Sequence, residues 1–175
     1  MEQNKAKIEQ QFLEAYEKYS DAIFRYCWSQ TSDREKALDL SQETFTKTWE
    51  YLAQGKEILQ IKAFLYRVAL NAIIDHRRKH KTQSLDAMME EGFDYQEEHP
   101  SAERTQSAFD SKKAIAVISQ LDDKYKDVLM MRYAEDMSIK EIADITGESE
   151  NNISVRIHRG LAKMEDLLKP YEQQI

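Results

Sequence analysis

Arg67, Asn71, Asp75 and Arg78 recur at spacings of four, four and three, with Arg77 beside them, inside one stretch that has neither Gly nor Pro. That stretch, residues 62–81, reads KAFLYRVALNAIIDHRRKHK and sets six cations against a single carboxylate, Asp75. On a helix of 3.6 residues per turn, Ile61, Phe64, Leu65, Val68 and Ala72 fall on one stripe, so the spacing predicts an amphipathic helix with its apolar side in a core. Arg67, Asn71 and Arg78 then share a flank of that stripe. Cations with an amide among them are what a helix needs to hold a phosphate backbone and touch bases. The blander reading is a solvated basic face on an ordinary core helix. A second set of the same type is Asn152, Val155, Arg156, Arg159 and Lys163, near the carboxyl end. One amide, one apolar group and three cations at the start of a helix suit the major groove, where Arg addresses guanine edges and Asn adenine.

A third set is anionic. Glu35, Asp39, Glu43 and Glu50 project from one side of a helix beginning at Arg34, with Gln42 at the edge. Carboxylates with a flanking amide form a docking surface for a cationic partner helix rather than an acid–base pair. No Gly-rich phosphate loop, no Ser or Cys nucleophile with a partner and no paired carboxylates in an apolar setting accompany them, so an enzyme is not expected. His76 and His80 are four apart, but no Cys or Glu completes a metal site and their surroundings are cationic; no metal or cofactor is expected.

The elements that must position these sets are helices. A chain of 175 residues with 33% charged residues, four Gly and two Pro suits a mostly helical protein. Ile8, Phe12, Tyr16, Tyr19, Ile23 and Phe24 mark a first helical segment, with Ser20 and Asp21 expected to cap a second after a break near Tyr19. Thr31, Ser32 and Asp33 are a turn-and-cap cluster before the acidic helix, whose expected buried stripe is Leu38, Ser41, Phe45, Trp49 and Leu52. Residues 53–57 form a loop before the basic helix. Residues 83–110 carry eight carboxylates against one arginine and lose periodicity, which predicts a flexible acidic linker. Helix is expected again over residues 108–121, and after Asp122 and Asp123 through Tyr133. Ser138 and Glu141 have capping-box spacing. Gly147 sits where a left-handed residue ends a helix, and Ser149 can cap a last helix that is expected to stop before Pro170. Ile153, Ile157, Leu161 and Met164 would anchor it inward. The expected fold is therefore all-α: two small helical bundles, residues 1–82 and 108–175, joined by a flexible acidic linker over residues 83–107, the second bundle containing a helix-turn-helix. No apolar run approaches a membrane span, and the lone Cys27 forms no internal disulfide, so the cytoplasm is the default location.

Taken together, the stretches resemble a known family. DREKALDLSQETFTKTWEYL is similar to the part of bacterial sigma factors that docks on RNA polymerase, and FLYRVALNAIIDHRRKHK to their adjacent promoter-melting region. IKEIADITGESENNISVRIHRGLAKMEDLL resembles their upstream-element helix-turn-helix. With these two domains alone, the chain resembles an extracytoplasmic-function sigma factor. The resemblance implies that Asp39, Gln42 and Glu43 bind a basic coiled coil of the polymerase's largest subunit, and that the second domain meets the polymerase flap. It implies that Arg67, Asn71, Asp75, Arg77 and Arg78 lie at the downstream (−10) element, Asn71 and the loop of residues 54–61 holding a base flipped from the non-template strand. Asp75 contacts DNA there or only orients Arg78 and Lys79. Asn152, Val155, Arg156, Arg159 and Lys163 would face the upstream (−35) element, and an anti-sigma partner would hold the factor inactive. The competing expectation is a stand-alone helix-turn-helix regulator whose first bundle senses a signal or dimerises.

Overall fold

The computed structural model describes residues 2–87, 117–118 and 120–172. The expected linker after Ala87 and the helix expected from residue 108 lie outside these, apart from its final turn at Val117 and Ile118. Every regular element among the described residues is helical: α1 (Glu2–Thr31), α2 (Arg34–Ala53), α3 (Ile61–Ala87), α4 (Asp123–Leu129), α5 (Ile139–Thr146) and α6 (Glu150–Glu172). The first three pack into one bundle and the last three into another.

In the first bundle the chain turns sharply between α1 and α2. Ser32 takes a left-handed φ of 54°, and the Asp33 carboxylate accepts a hydrogen bond from the Lys36 amide at 3.1 Å, capping α2. The break expected near Tyr19 does not occur. Ser20 and Asp21 sit mid-helix in α1, because Ala15, Ile23, Tyr26 and Cys27 are buried along one continuous face and packing overrides a weak cap signal. On α2 the buried stripe is Ala37, Leu40, Ser41, Thr44, Phe45, Thr48 and Leu52, so Leu38 is displaced from the core and Trp49 is only half-buried. Two threonines can be buried there because each hydroxyl donates within its own helix, Thr44 to the Leu40 carbonyl at 2.7 Å and Thr48 to Thr44 at 2.8 Å. The stripe of α3 is likewise rotated from the expected one: Leu65, Tyr66, Ala69, Leu70, Ala72 and Ile73 are buried, while Phe64 and Val68 lie at its edge. The helix also runs five residues into the expected linker, to Ala87.

In the second bundle Asp122 precedes α4 without a side-chain cap, and the helix does not continue in α geometry to Tyr133. It widens into one π turn, Met130–Ala134, closed by Glu135 N–H to the Met130 carbonyl at 3.2 Å. Asp136 then takes φ 48°, a conformation a short polar side chain tolerates, and the chain turns into α5. The expected capping box is present: Glu141 N–H donates to Ser138 Oγ at 3.2 Å and Ser138 N–H to Glu141 Oε2 at 2.8 Å. Gly147, at φ 75°, ends α5 by donating to the Ala143 carbonyl at 2.9 Å. Ser149 Oγ accepts from the Asn152 amide at 3.2 Å and opens α6. That helix runs through Pro170 to Glu172, although the proline has no N–H to give the last turn. The inward residues of α6 are Ile153, Ile157 and Gly160, with Met164 partly buried against the same core as expected; Leu161, expected among them, is exposed. Gly160 takes that place because Leu129 and Tyr125 come so close that a Cβ there would meet Leu129 Cδ1 at 3.0 Å.

The two bundles also touch each other. α3 packs against α5. The Tyr66 hydroxyl donates to the Glu135 carboxylate, and the Arg67 guanidinium to the Asp144 carbonyl. Arg77 forks onto Asp127 at 3.1 and 3.2 Å and donates to Gln30 Oε1 at 2.6 Å.

Candidate functional site

Because Asp33 fixes where α2 starts, the helix turns Glu35, Asp39, Gln42, Glu43 and Glu50 to solvent. Glu43 pairs with Lys47 at 2.6 Å, one turn on and about half exposed, a contact that a partner's cation could replace at little cost. The displaced Leu38 is 42% exposed and lies one turn before Gln42, adding an apolar contact to the acidic face. Next to it, Gln42 forms part of the wall of a groove of about 620 Å³ whose other lining includes Phe12, Leu13, Tyr16, Phe45 and Trp49. The rings hold one another edge-on, Phe12 to Trp49 at 5.2 Å and Tyr16 to Phe45 at 4.9 Å. An anionic helix face beside an aromatic groove is suited to a helix that carries both cations and an apolar ridge.

On α3, Arg67, Asn71, Asp75 and Arg78 are exposed along one face as their spacing predicts, and Ile74 stands among them, 46% exposed. Asp75 and Arg78 are bonded at 3.0 Å. Arg77 is set apart from this group: its side chain is 20% exposed and engaged by Asp123, Asp127 and Gln30. Before α3, the loop of residues 54–60 is fixed at both ends. Gly55 turns it at φ 77°, and the buried Ile58 pins it. Phe64 N–H donates to the Gln60 carbonyl at 3.0 Å, and the Phe64 ring lies 4.8 Å from that of Tyr51, over which Lys56 Nζ sits at 4.9 Å. Leu59 projects from this frame almost wholly into solvent.

The second cationic set sits where expected. Asn152, Val155 and Arg159 are exposed on α6, with Lys163 also exposed and its ammonium 5.5 Å from the Tyr125 ring centre. Arg156 is half-buried and ion-paired to Glu148 across the turn. That pair holds its guanidinium in a fixed position near the start of α6. Cys27 is buried, and burial pushes its thiol up to about 12, which leaves it inert as a nucleophile.

Ile74 and Leu59 are exposed apolar residues beside these sets that the sequence reading did not single out, and Leu38 is one that it placed in the core. Their signal is weak in sequence, since an isolated Leu or Ile reads as core until a neighbouring stripe is known to be filled.

The described residues form two helical bundles with one acidic helix face and two cationic ones, and comparison with known proteins identifies the family. Residues 15–83 match the family model for sigma-70 region 2, and residues 111–164 the model for sigma-70 region 4. The extracytoplasmic-function RNA polymerase sigma factor SigM of Bacillus subtilis is 28% identical over 157 residues, covering 88% of this chain and 93% of that protein. SigW of the same organism is 28% identical over 166 residues, covering 90% of this chain and 89% of the relative. In fold, the chain is similar to the sigma factor RpoE solved with the anti-sigma factor NepR from Bartonella quintana, with a TM-score of 0.73, 21% identity, and coverage of 93% of this chain and 97% of that one. It is also similar to CnrH, solved with the cytosolic domain of CnrY, at a TM-score of 0.69, 20% identity, and coverage of 96% and 94%. The chain belongs to the extracytoplasmic-function class of the sigma-70 family. It is a sigma factor for promoter-specific transcription initiation, working with core RNA polymerase and promoter DNA. The stand-alone regulator gives way, because the first bundle matches region 2 of sigma factors rather than a sensing domain. No described helix is long and apolar enough to cross a membrane.

Proposed function

We propose that the three sets divide the work of initiation. Asp39, Gln42 and Glu43 on α2 dock the basic coiled coil of the polymerase's largest subunit, with Leu38 and the aromatic groove taking its apolar ridge. Arg67, Asn71 and Arg78 on α3 meet the downstream element, and Asn71 with the loop of residues 54–60 reads a base extruded from the non-template strand. Asp75 acts by orienting Arg78, to which it is bonded at 3.0 Å. Asn152, Val155, Arg156, Arg159 and Lys163 on α6 enter the major groove of the upstream element, and the same bundle meets the polymerase flap. An anti-sigma factor restrains the chain, in keeping with the partner of the structurally similar RpoE.

The observation that carries this reading is the exposed acidic and amide face of α2, bounded by a solvent-facing leucine and an open apolar groove. Salt bridges at a surface contribute little to the fold, so these residues can be reversed in charge without unfolding the bundle. Asp39→Arg with Glu43→Arg abolishes co-elution with core polymerase while the helical spectrum of the chain is retained. Undiminished holoenzyme formation by that double variant would move the docking face elsewhere.

A further inference from the structure

The two cationic helices carry one outward pattern twice. On α6 an asparagine is followed after three residues by a β-branched apolar residue and after seven by an arginine: Asn152, Val155 and Arg159. On α3 the same three types stand at the same spacing, as Asn71, Ile74 and Arg78. All six are exposed, and the residue after each asparagine, Ile153 or Ala72, is buried, so the two triplets leave their bundles in the same register. Ile74 is 46% exposed, with Asn71 and Arg78 one turn to either side and Asp75 next in the chain. The core does not use it, because Ala72 and Ile73 fill that level of α3. Its branched side chain is stiff and presents one fixed apolar surface. The pair between Asp75 and Arg78, at 3.0 Å, sets the carboxylate beside Ile74 against a cation of the same helix and so lessens its repulsion of nucleic acid.

We infer that Ile74 is a specificity residue: it packs on the C5 methyl group of a thymine in the downstream element and makes the factor prefer thymine at one position. The inference rests on the reading of α3 as the downstream-element helix and adds to it a residue outside the cationic set. Among the four bases only thymine presents a methyl group in the major groove, and an apolar side chain set among hydrogen-bonding ones distinguishes it from the others. The place of that thymine follows from the direction of α3. On the proposed reading Asn71 and the loop of residues 54–60 hold the extruded base. Ile74 lies three residues further from the loop, about 4.5 Å along the helix axis. Successive bases of a strand are about 3.4 Å apart, so the thymine belongs to the base pair adjoining the extruded base.

The test uses holoenzyme formed from the full chain and core polymerase. Abortive transcription from a promoter library randomised over the downstream element is run with wild type, Ile74→Ala and Leu161→Ala. The last is the control for losing an exposed apolar side chain outside the three sets. Alanine is the better helix former, so α3 is retained in the Ile74 variant. Wild type and control are expected to select thymine at one position adjoining the extruded base, and Ile74→Ala to lose that selection while keeping the others. Thymine at that position is then exchanged for uracil, which removes the methyl group and keeps the pairing. Promoter affinity of the wild-type holoenzyme should fall about fourfold, the size of one buried methyl group. That of the Ile74→Ala holoenzyme should not change, which closes the double-mutant cycle. A uracil effect of equal size in both, uniform weakening by Ile74→Ala at every base, or no thymine selection by wild type overturns the inference. Loss of core association by Ile74→Ala also overturns it, by placing the residue in a protein interface. Arg67→Ala with Asn71→Ala tests the underlying reading separately. Loss of downstream selection in that variant upholds α3 as the promoter helix whatever Ile74 does, and unchanged selection removes it.

Discussion

Leu38 shows how one side chain can separate core from function. It has the residue type and helical spacing of a core position, but α2 buries Thr44 and Thr48 instead, and Leu38 faces water beside Asp39 and Gln42. A surface leucine contributes little to stability, so Leu38→Asp leaves the urea midpoint of the chain nearly unchanged, within about 0.5 kcal/mol. The same variant weakens co-elution with core polymerase; retention at wild-type strength would remove Leu38 from the docking face. Gly160 is the converse case, a residue without a side chain holding a core position. Gly160→Ala gains about 1 kcal/mol in helix propensity but places a methyl group 3.0 Å from the fully buried Leu129 and 3.3 Å from Tyr125 Cβ. Overpacking of about 1–3 kcal/mol wins, and urea denaturation should show a net loss of stability. Most exposed members of the three sets were legible in the sequence because charge and helical period agree there. The partner of Arg77 was not, since Asp127 is fifty residues away in the chain and only the packing of two bundles brings them together.

At the scale of elements, the signals that proved readable are those completed within four residues. Asp33 with Lys36, Ser138 with Glu141, and Gly147 with Ala143 each close a helix end locally. Ser138→Ala removes one such closure and is expected to cost about 1 kcal/mol, seen as a lower thermal midpoint. Glu141 adds a pH dependence whose sign follows from its surroundings. Hydrogen bonds from the Ser138 amide and hydroxyl hold its carboxyl below the usual range, with Lys62 contributing least. Its stabilising effect is therefore present at and above the pH where an unfolded glutamate ionises, and is lost as pH falls through the lower folded value. Thermal melts of wild type and Glu141→Gln should differ at pH 7 and converge as the solution is acidified past the carboxylate range. Signals that depend on the rest of the bundle were harder to read. The cap at Ser20 and Asp21 was overridden by the continuous buried face of α1, and α3 rotated its stripe to bury Tyr66 and Ile73. The π turn after α4 leaves no mark in composition; Met130 and Met131 are as good helix formers as their neighbours.

For the molecule as a whole, an acidic chain of net charge −7 carries two helices with cationic faces. The excess of carboxylates is concentrated in residues 83–110, between the two cationic sets, so the overall balance does not oppose binding to phosphate. The two-bundle organisation was legible from this charge distribution and from the loss of periodicity; the contact between the bundles was not, because it is made by a handful of polar groups with no local pattern. Each bundle carries a separate function on this account, and the variants should divide accordingly. The most direct measurement is promoter-dependent abortive transcription by bacterial core polymerase reconstituted with the chain, run beside a co-elution assay on a promoter library. The account predicts initiation with wild type, loss of both core association and initiation for Asp39→Arg with Glu43→Arg, and loss of promoter binding with core association intact for Arg156→Ala with Arg159→Ala. Equal loss of core association in the two double variants would contradict it.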